Sequence, residues 1–195
     1  MKHSFPNMIL QKFILPFFVI VILLASLSMN SYSQPNTISQ ANKIKASYLL
    51  RLASYVRSDN TESSEFEICI IGNNVFGNFL NAMIQAKPKN KNNMPIRVYH
   101  YPLGDDFEDC KIAFVSAQDT NNEFWKSIPE DNSILLVGDH PDFIKNGGIA
   151  KFYLEKKRIR IEINLAAAKD ANLEISSELL RVVKITKNIS RISTK

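Results

Sequence analysis

Residues that bind metals or act as nucleophiles are scarce in this sequence. It has three histidines and two cysteines, and it contains neither a His-Glu-x-x-His nor a Cys-x-x-Cys spacing. Those absences exclude the common zinc motifs. The Gly-x-Ser-x-Gly turn of many serine hydrolases is missing as well. The sequence therefore predicts no catalytic residue, no cofactor and no metal, and it favours a binding protein over an enzyme.

The chain also has only a small excess of positive charge. The chain carries 24 Lys+Arg against 19 Asp+Glu, a formal net charge of +5. A nucleic-acid-binding domain normally shows a denser basic stripe, so we expect no nucleic-acid partner. The acidic cluster at 105–109 is compatible with a calcium loop or with a solvated turn. It lacks the full spacing of a calcium-binding loop, which favours the turn.

Glycines are too few for a complete phosphate-binding loop. Gly72 and Gly77 follow a predicted strand and open a predicted helix, which is where α/β proteins bind phosphates. The middle glycine of the motif is missing, and no acidic residue follows at the expected spacing. The alternatives are a nucleotide site and a tight strand-to-helix turn, and we favour the turn.

The N-terminus has the pattern of an export signal. Lys2 and Lys12 precede an apolar run at 13–27, and small residues at 31–33 form a cleavage site. The alternative is an uncleaved membrane anchor, but the run is shorter than the roughly 20 residues that a spanning helix needs. We predict that residues 1–33 are a signal peptide, cleaved near Ser33.

The two cysteines lie in the part of the chain that would be exported. Cys69 lies inside an apolar run at 66–71, and Cys110 lies just before another at 112–115. If the two runs form neighbouring strands, the cysteines approach bonding distance, and an oxidising compartment would join them. The alternative is two separate buried thiols. We favour the disulfide, which closes a loop of about 40 residues and contributes roughly 3–4 kcal/mol.

Hydrophobic periodicity predicts strands that alternate with helices. The predicted helices are 40–57, 75–85, 123–128, 165–171 and 175–185, with a helical turn near Phe143. The predicted strands are 66–71, 96–101, 112–115 and 134–137, followed by a β-hairpin at 149–154 and 159–163.

Several strands are apolar on both faces. This pattern predicts a single α/β domain with a layered fold, in which a mostly parallel sheet is flanked by helices and the C-terminal hairpin adds an antiparallel edge. We place a flexible lead-in at 34–42, the domain at 43–185 and a basic tail at 186–195.

A long ordered series of residues marks the C-terminal half, and its members are Asp139, Pro141, Phe143, Gly147, Gly148, Phe152, Arg158, Arg160, Glu162, Ile163, Asn164, Ile175, Ser176, Ser177, Leu179 and Leu180. This series resembles the pattern of one protein family, the YfiR-like periplasmic proteins. The family's Trp-Pro at the end of the first helix is absent here, where the sequence continues from Tyr55 to Asp59. Some relatives have a similarly placed cysteine pair.

The resemblance implies a periplasmic regulator that represses a membrane-bound signalling protein through that protein's periplasmic domain. A diguanylate cyclase or a sensor kinase would be the partner. It further implies a homodimer whose redox state or small ligand controls release of the partner. The alternative is a periplasmic small-ligand-binding protein, which requires a roomy pocket with converging polar groups.

The candidate partner- or ligand-binding residues are Gly147, Gly148, Arg160, Glu162 and Asn164. A structural interpretation is open for most of them. Asn164 would cap the following helix, Glu162 would pair with Arg160 or Arg158, and the two glycines would supply positive-φ turn geometry.

The hairpin turn is basic, because it contains Lys156, Lys157 and Arg158. These residues would face either an anionic membrane surface or an acidic partner. The alternative is an ordinary solvated turn, which is what most exposed charge runs are.

Overall fold

The computed structural model describes residues 38–58, 64–105, 107, 109–119 and 133–186. The predicted signal peptide, the predicted helix at 123–128 and the tail after Thr186 lie outside these residues. The helices are α1 (Gln40–Leu52), α2 (Phe79–Ala86), α3 (Leu165–Asp170) and α4 (Ser177–Leu180). The strands are β1 (Val56–Ser58), β2 (Phe66–Ile71), β3 (Ile96–Tyr101), β4 (Ile112–Val115), β5 (Leu135–Gly138), β6 (Ala150–Glu155), β7 (Arg158–Asn164), β8 (Leu173–Ile175) and β9 (Lys184–Thr186).

Seven of these strands form one sheet in the order β3-β2-β4-β5-β6-β7-β9. Strands β2 to β6 run parallel, β7 returns antiparallel to β6, and β9 pairs parallel with β7. Every residue of β4 and β5 is buried, as expected for the centre of a sheet covered on both faces. The predicted α/β class with a mostly parallel sheet and a C-terminal hairpin is confirmed.

Helix α1 begins where it was predicted but ends earlier. The Ser39 Oγ accepts a hydrogen bond at 3.1 Å from the backbone N of Asn42 and caps the start of the helix. The predicted helix 40–57 is wrong at its end, because α1 stops at Leu52 and the chain turns into β1. Strand β1 pairs antiparallel with β8, with Val56 opposite Ile175. A non-local strand partner therefore overrides the helical periodicity of this short segment.

A row of aromatic rings packs α1 onto one face of the sheet. The Tyr48 ring stacks on Phe152 of β6 at 6.1 Å, and Phe152 lies 6.2 Å from Phe114 of β4. Phe114 in turn contacts Phe76, at 4.8 Å, in the turn before α2. That turn is why α2 begins at Phe79 rather than at the predicted residue 75. Side chains that alternate with Phe152 along β6 point to the opposite face of the sheet.

The C-terminal segment differs most from expectation. A single helix at 175–185 was predicted, and this prediction is wrong. The chain instead forms β8, the one-turn helix α4 and β9, which adds a strand outside the hairpin. Asn172 precedes β8 with φ 51°, a left-handed conformation that asparagine adopts more readily than most residues. The Ser176 Oγ then accepts a hydrogen bond from Glu178 N at 3.2 Å and caps α4.

Candidate functional site

The predicted disulfide is present and joins two adjacent parts of the sheet. Cys69 of β2 is bonded to Cys110, which lies two residues before β4, and their Cα atoms are 5.9 Å apart. Strands β2 and β4 are direct neighbours, as the prediction required. Both cysteines are almost fully buried. The bond therefore fixes a loop of 41 residues at the centre of the fold.

Four of the five predicted site residues are buried. Gly147 and Gly148 lie below the surface, Glu162 is 7% exposed and Asn164 is 0% exposed. Arg160 is the exposed member, with 46% of its side chain accessible. Of the five, only Arg160 is exposed enough to contact a partner directly.

Glu162 lies in the middle of a row of charged residues across three strands. The register places it opposite Lys151 of β6 on one side and Lys184 of β9 on the other. The Lys151 Nζ lies 3.1 Å from one carboxylate oxygen, and the Lys184 Nζ lies 3.0 Å from the other. The Thr186 hydroxyl donates to the same oxygen as Lys184, at 2.7 Å. The carboxylate is thus held by two cations and one hydroxyl.

The predicted pairing of Glu162 with Arg160 or Arg158 is wrong. Arg160 instead lies 3.6 Å from Glu155, at the hairpin end of β6. The physical reason is distance, since residues two apart on one strand are about 6.5–7 Å apart along it, whereas neighbours on adjacent strands are about 5 Å apart. Lys151 was missed, although a two-residue hairpin turn at 156–157 places it opposite Glu162.

These contacts control the ionisation of Glu162. Burial alone would raise the pKa of its carboxyl group, but hydrogen bonds from Thr186, Lys184 and Lys151 outweigh burial. The net effect lowers the pKa from 4.5 to about 2. The same hydrogen bond raises the pKa of Lys184. Glu162 is therefore ionised at neutral pH, and its ion pairs with Lys151 and Lys184 hold a fixed pattern across the three strands.

The segment after β5 is tied both to this row and to α1. Lys151 Nζ donates to the carbonyl oxygen of Pro141 at 3.0 Å. The Asp139 carboxylate pairs with Lys45 of α1 and accepts a hydrogen bond from the backbone N of Ala117. Both Asp139 and Lys45 are largely buried. Two residues of the family pattern, Asp139 and Pro141, thus position the chain that leads into the hairpin.

The Phe143 ring fills a gap that two glycines leave open. A Cβ atom at Gly148 would lie 2.1 Å from the ring, and one at Gly138 would lie 2.6 Å from it. Gly147 has φ 91°, as predicted for a positive-φ turn. The same prediction is wrong for Gly148, whose φ is not in the left-handed region. Gly148 is required instead because only a residue without a side chain lets Phe143 pack against the backbone.

Asn164 has the predicted structural role. Its Oδ1 accepts a hydrogen bond from the backbone N of Ala167 at 3.3 Å and caps α3. Its own backbone N donates to Ile149 O at 2.8 Å, at the start of β6. The residue thus links the end of the hairpin to the following helix. Any contribution to partner binding stays a prediction.

The turn after β2 has the geometry of a tight turn, and a carboxylate occupies its open side. Gly72 has φ 74°, and a Cβ atom there would lie 2.8 Å from the carboxylate of Asp119. The Asn73 backbone N donates to Asp119 Oδ2 at 2.9 Å. A phosphate would need that same amide and would meet a negative charge. The preference for a turn over a nucleotide site agrees with this arrangement.

A polar pocket lies beside the small β1–β8 sheet. Its volume is about 330 Å³. It is lined by residues of α1's C-terminal turn, β1, the 91–92 loop and the β8–α4 segment, among them Tyr55, Arg57, Lys91, Glu174 and Glu178. The Lys91 Nζ lies 4.0 Å from the centre of the Tyr55 ring and 3.1 Å from a Glu178 oxygen. Arg57 makes no ion pair with any residue that the structure describes.

Within the described ranges, no group of three His, Cys, Asp or Glu side chains is arranged to hold a metal ion. Among those same residues, every helix is too short or too polar to cross a bilayer.

Comparison with known proteins gives one finding. No individually curated protein matches the chain. A family model described as YfiR/HmsC-like matches residues 42–184, which is well over half of the 195 residues. The match runs from within α1 to the first residue of β9 and includes Cys69, Cys110 and the charged row around Glu162. The chain therefore belongs to the YfiR/HmsC-like family.

Proposed function

We propose that this protein is exported, with cleavage of its signal peptide near Ser33, and acts as a periplasmic regulator. It represses a membrane-bound signalling protein, such as a diguanylate cyclase or a sensor kinase, by binding that protein's periplasmic domain. The single observation that carries the proposal is the family match over residues 42–184. The buried disulfide supports export, because such bonds persist in oxidising compartments.

The polar face of the β6–β7 hairpin is the surface that we assign to the partner. Arg160 and Tyr153 lie opposite each other on this face, and Lys184 Nζ lies 5.8 Å from the centre of the Tyr153 ring. Arginine and tyrosine are enriched in protein interfaces. The two ion pairs of Glu162 hold Lys151 and Lys184 in place beside them. A rigid surface of this kind loses little conformational entropy when it binds.

The test is capture of the partner from a membrane fraction with residues 34–195, tagged at the C-terminus. We expect one inner-membrane signalling protein with a periplasmic domain to be enriched. The variant Arg160→Glu should lose this capture. Arg97→Glu is the matched control, since Arg97 is also an exposed strand arginine that pairs with a glutamate, Glu65 at 3.2 Å, but it lies on β3 at the opposite edge of the sheet.

Equal capture by the Arg160→Glu and Arg97→Glu variants would overturn the assignment of the surface. Failure of the wild-type protein to enrich any membrane signalling protein would contradict the function itself. We also propose a homodimer, which light scattering on the purified protein would test by its mass in solution.

A periplasmic small-ligand-binding protein is the second candidate, and the pocket beside β1 is the observation that favours it. Its volume of about 330 Å³ is near the lower end of known ligand sites. Arg57 supplies a cation for a carboxylate or phosphate, and Tyr55 supplies a ring for stacking. Native mass spectrometry of the purified protein would show a bound small molecule if this is correct. The variant Arg57→Ala should then lose it.

A further inference from the structure

The turn that joins β6 to β7 consists of two lysines in an unfavourable backbone conformation. Lys156 has φ 48° and Lys157 has φ 64°. Two-residue hairpin turns with positive φ at both positions strongly favour Asn-Gly, because most side chains are strained there. Lysine at both positions is therefore costly for folding. Backbone outliers of this kind concentrate at functional sites, so the outlier points to a function for the two charges.

Four cations at this end of the sheet are exposed, and the neighbouring carboxylate of Glu155 forms its ion pair with Arg160 rather than with any of them. Lys156, Lys157, Arg158 and Arg181 are all exposed. None of the four forms an ion pair with another residue in the part of the chain that the structure describes. Arg181 is three residues before Lys184, which lies opposite Glu162, and the chain enters β9 from the side of the hairpin turn because β9 runs parallel to β7; we therefore count Arg181 with this end.

Two apolar side chains stand out among these cations. Leu154 is 70% exposed and Val182 is 73% exposed, the largest values among the large hydrophobic residues that the structure describes. Leu154 is two residues before the lysine turn. Val182 follows Arg181, at the same end of β7. The hairpin end, defined by six residues, therefore combines two exposed aliphatic groups with four cations that form no ion pair among the described residues. Its members are Leu154, Lys156, Lys157, Arg158, Arg181 and Val182.

We propose that the hairpin end binds the surface of a bilayer that contains anionic phospholipids. The lysine and arginine side chains would lie against the lipid phosphates, and Leu154 and Val182 would enter the interfacial layer. Long flexible cations suit this role, since they extend from an apolar stem to the charged headgroups. The binding is weak and reversible, and it weakens as salt is raised.

The composition of the hairpin end favours a bilayer over an acidic protein. Protein interfaces are depleted in lysine, and the buried centre of an interface is enriched in aromatic residues. Here two of the four cations are lysines, and the apolar groups are two separate aliphatic side chains. The assignment goes beyond the proposed function and does not depend on it, because lipid vesicles contain no protein partner.

Flotation with lipid vesicles tests this proposal. The protein used in the assay is residues 34–195. This segment contains the whole hydrophobic core of the described residues, which lies between Ala46 and Leu179. Binding is compared between vesicles of phosphatidylglycerol with phosphatidylcholine and vesicles of phosphatidylcholine alone. We expect binding to the anionic vesicles, at least tenfold stronger than to the neutral ones at low salt.

The decisive variant is Lys156→Asn with Lys157→Gly, which installs the preferred turn residues and removes two charges. It should fold at least as stably as the wild type, so a loss of binding cannot be attributed to unfolding. Each lysine removed should weaken binding to anionic vesicles about fivefold. Adding Leu154→Ser should weaken binding to anionic vesicles further without any change of charge.

The matched control is Lys87→Gln with Lys89→Gln, which removes the same charge from exposed lysines after α2. It should bind within about twofold of the wild type, because a lysine held away from the surface gains little from it. An equal loss in both double variants would overturn the proposal, since binding would then follow net charge alone. A second result would also overturn the proposal: the Lys156→Asn, Lys157→Gly variant binds vesicles normally but captures less of the membrane signalling protein. That result would assign the hairpin end to an acidic protein.

Discussion

Replacing Glu162 by glutamine removes the charge at the centre of the three-strand row while keeping the shape of the side chain. Lys151 would remain largely buried, with 15% of its side chain exposed, and would lose its counter-ion. A pKa lowered from 4.5 to about 2 corresponds to about 3 kcal/mol of favourable interaction for the ionised carboxylate. Breaking a buried ion pair by removing one partner usually costs a similar amount.

We therefore expect Glu162→Gln to lower the free energy of unfolding at pH 7 by about 3 kcal/mol. For a domain of this size, that corresponds to a fall in Tm of roughly 10 °C. Urea unfolding followed by circular dichroism measures the change. Glu155→Gln is the control, since Glu155 is half-exposed and its pair with Arg160 is long, at 3.6 Å. The control should change stability by less than about 0.5 kcal/mol.

The pH dependence gives a second measurement on the same variant. The pKa of Glu162 is lower in the folded protein than in the unfolded chain, so its contribution to stability is complete above about pH 4.5. It is lost as the pH falls towards about 2. The wild type should lose about 3 kcal/mol more than Glu162→Gln across this interval. An unchanged stability at pH 7, or identical acid unfolding curves for the two proteins, would show that the Glu162 carboxylate does not stabilise the fold.

Two further predictions concern the disulfide and Gly148, which packs against the Phe143 ring. Reducing the bond between Cys69 and Cys110 should lower the free energy of unfolding by about 4 kcal/mol, given the separation of 41 residues. Thermal melting with and without reductant measures the change. An unchanged Tm would show that the bond does not set stability. Gly148→Ala should destabilise the fold by more than about 3 kcal/mol, since its Cβ would lie 2.1 Å from the ring. The control Gly104→Ala meets nothing within 4 Å at the Cβ and has φ 92°, so only backbone strain of about 1 kcal/mol should appear.

The parallel core of the fold was readable from the sequence because its strands are apolar on both faces. Strands β2, β3 and β4 have the predicted bounds, and the hairpin was identified from two alternating runs around a charged turn. The secondary structure of residues 175–185 could not be predicted from the sequence. Ile175, Leu179 and Val182 fit a helical period, but strand partners on β1 and β7 decide the outcome, and those partners are distant in sequence.

The same non-local pairing limited what could be said of the charged row. Lys151 could have been assigned to Glu162 from the hairpin register, because a turn at 156–157 fixes which residues lie opposite each other. Lys184 could not, since its strand was read as a helix. The role of Asn164 as a cap was predicted correctly because capping depends only on local sequence. The packing of Phe143 against Gly148 needs the folded backbone and has no local signal.

Repression of a membrane-bound signalling protein is the function that we propose, and that protein's own activity measures it most directly. Membranes that contain the captured partner would be assayed with increasing amounts of residues 34–195, with the Arg160→Glu variant as the comparison. We expect a saturable fall in the partner's activity with the wild-type protein and a much weaker fall with the variant. Activity that stays constant or rises as wild-type protein is added would contradict the proposed function.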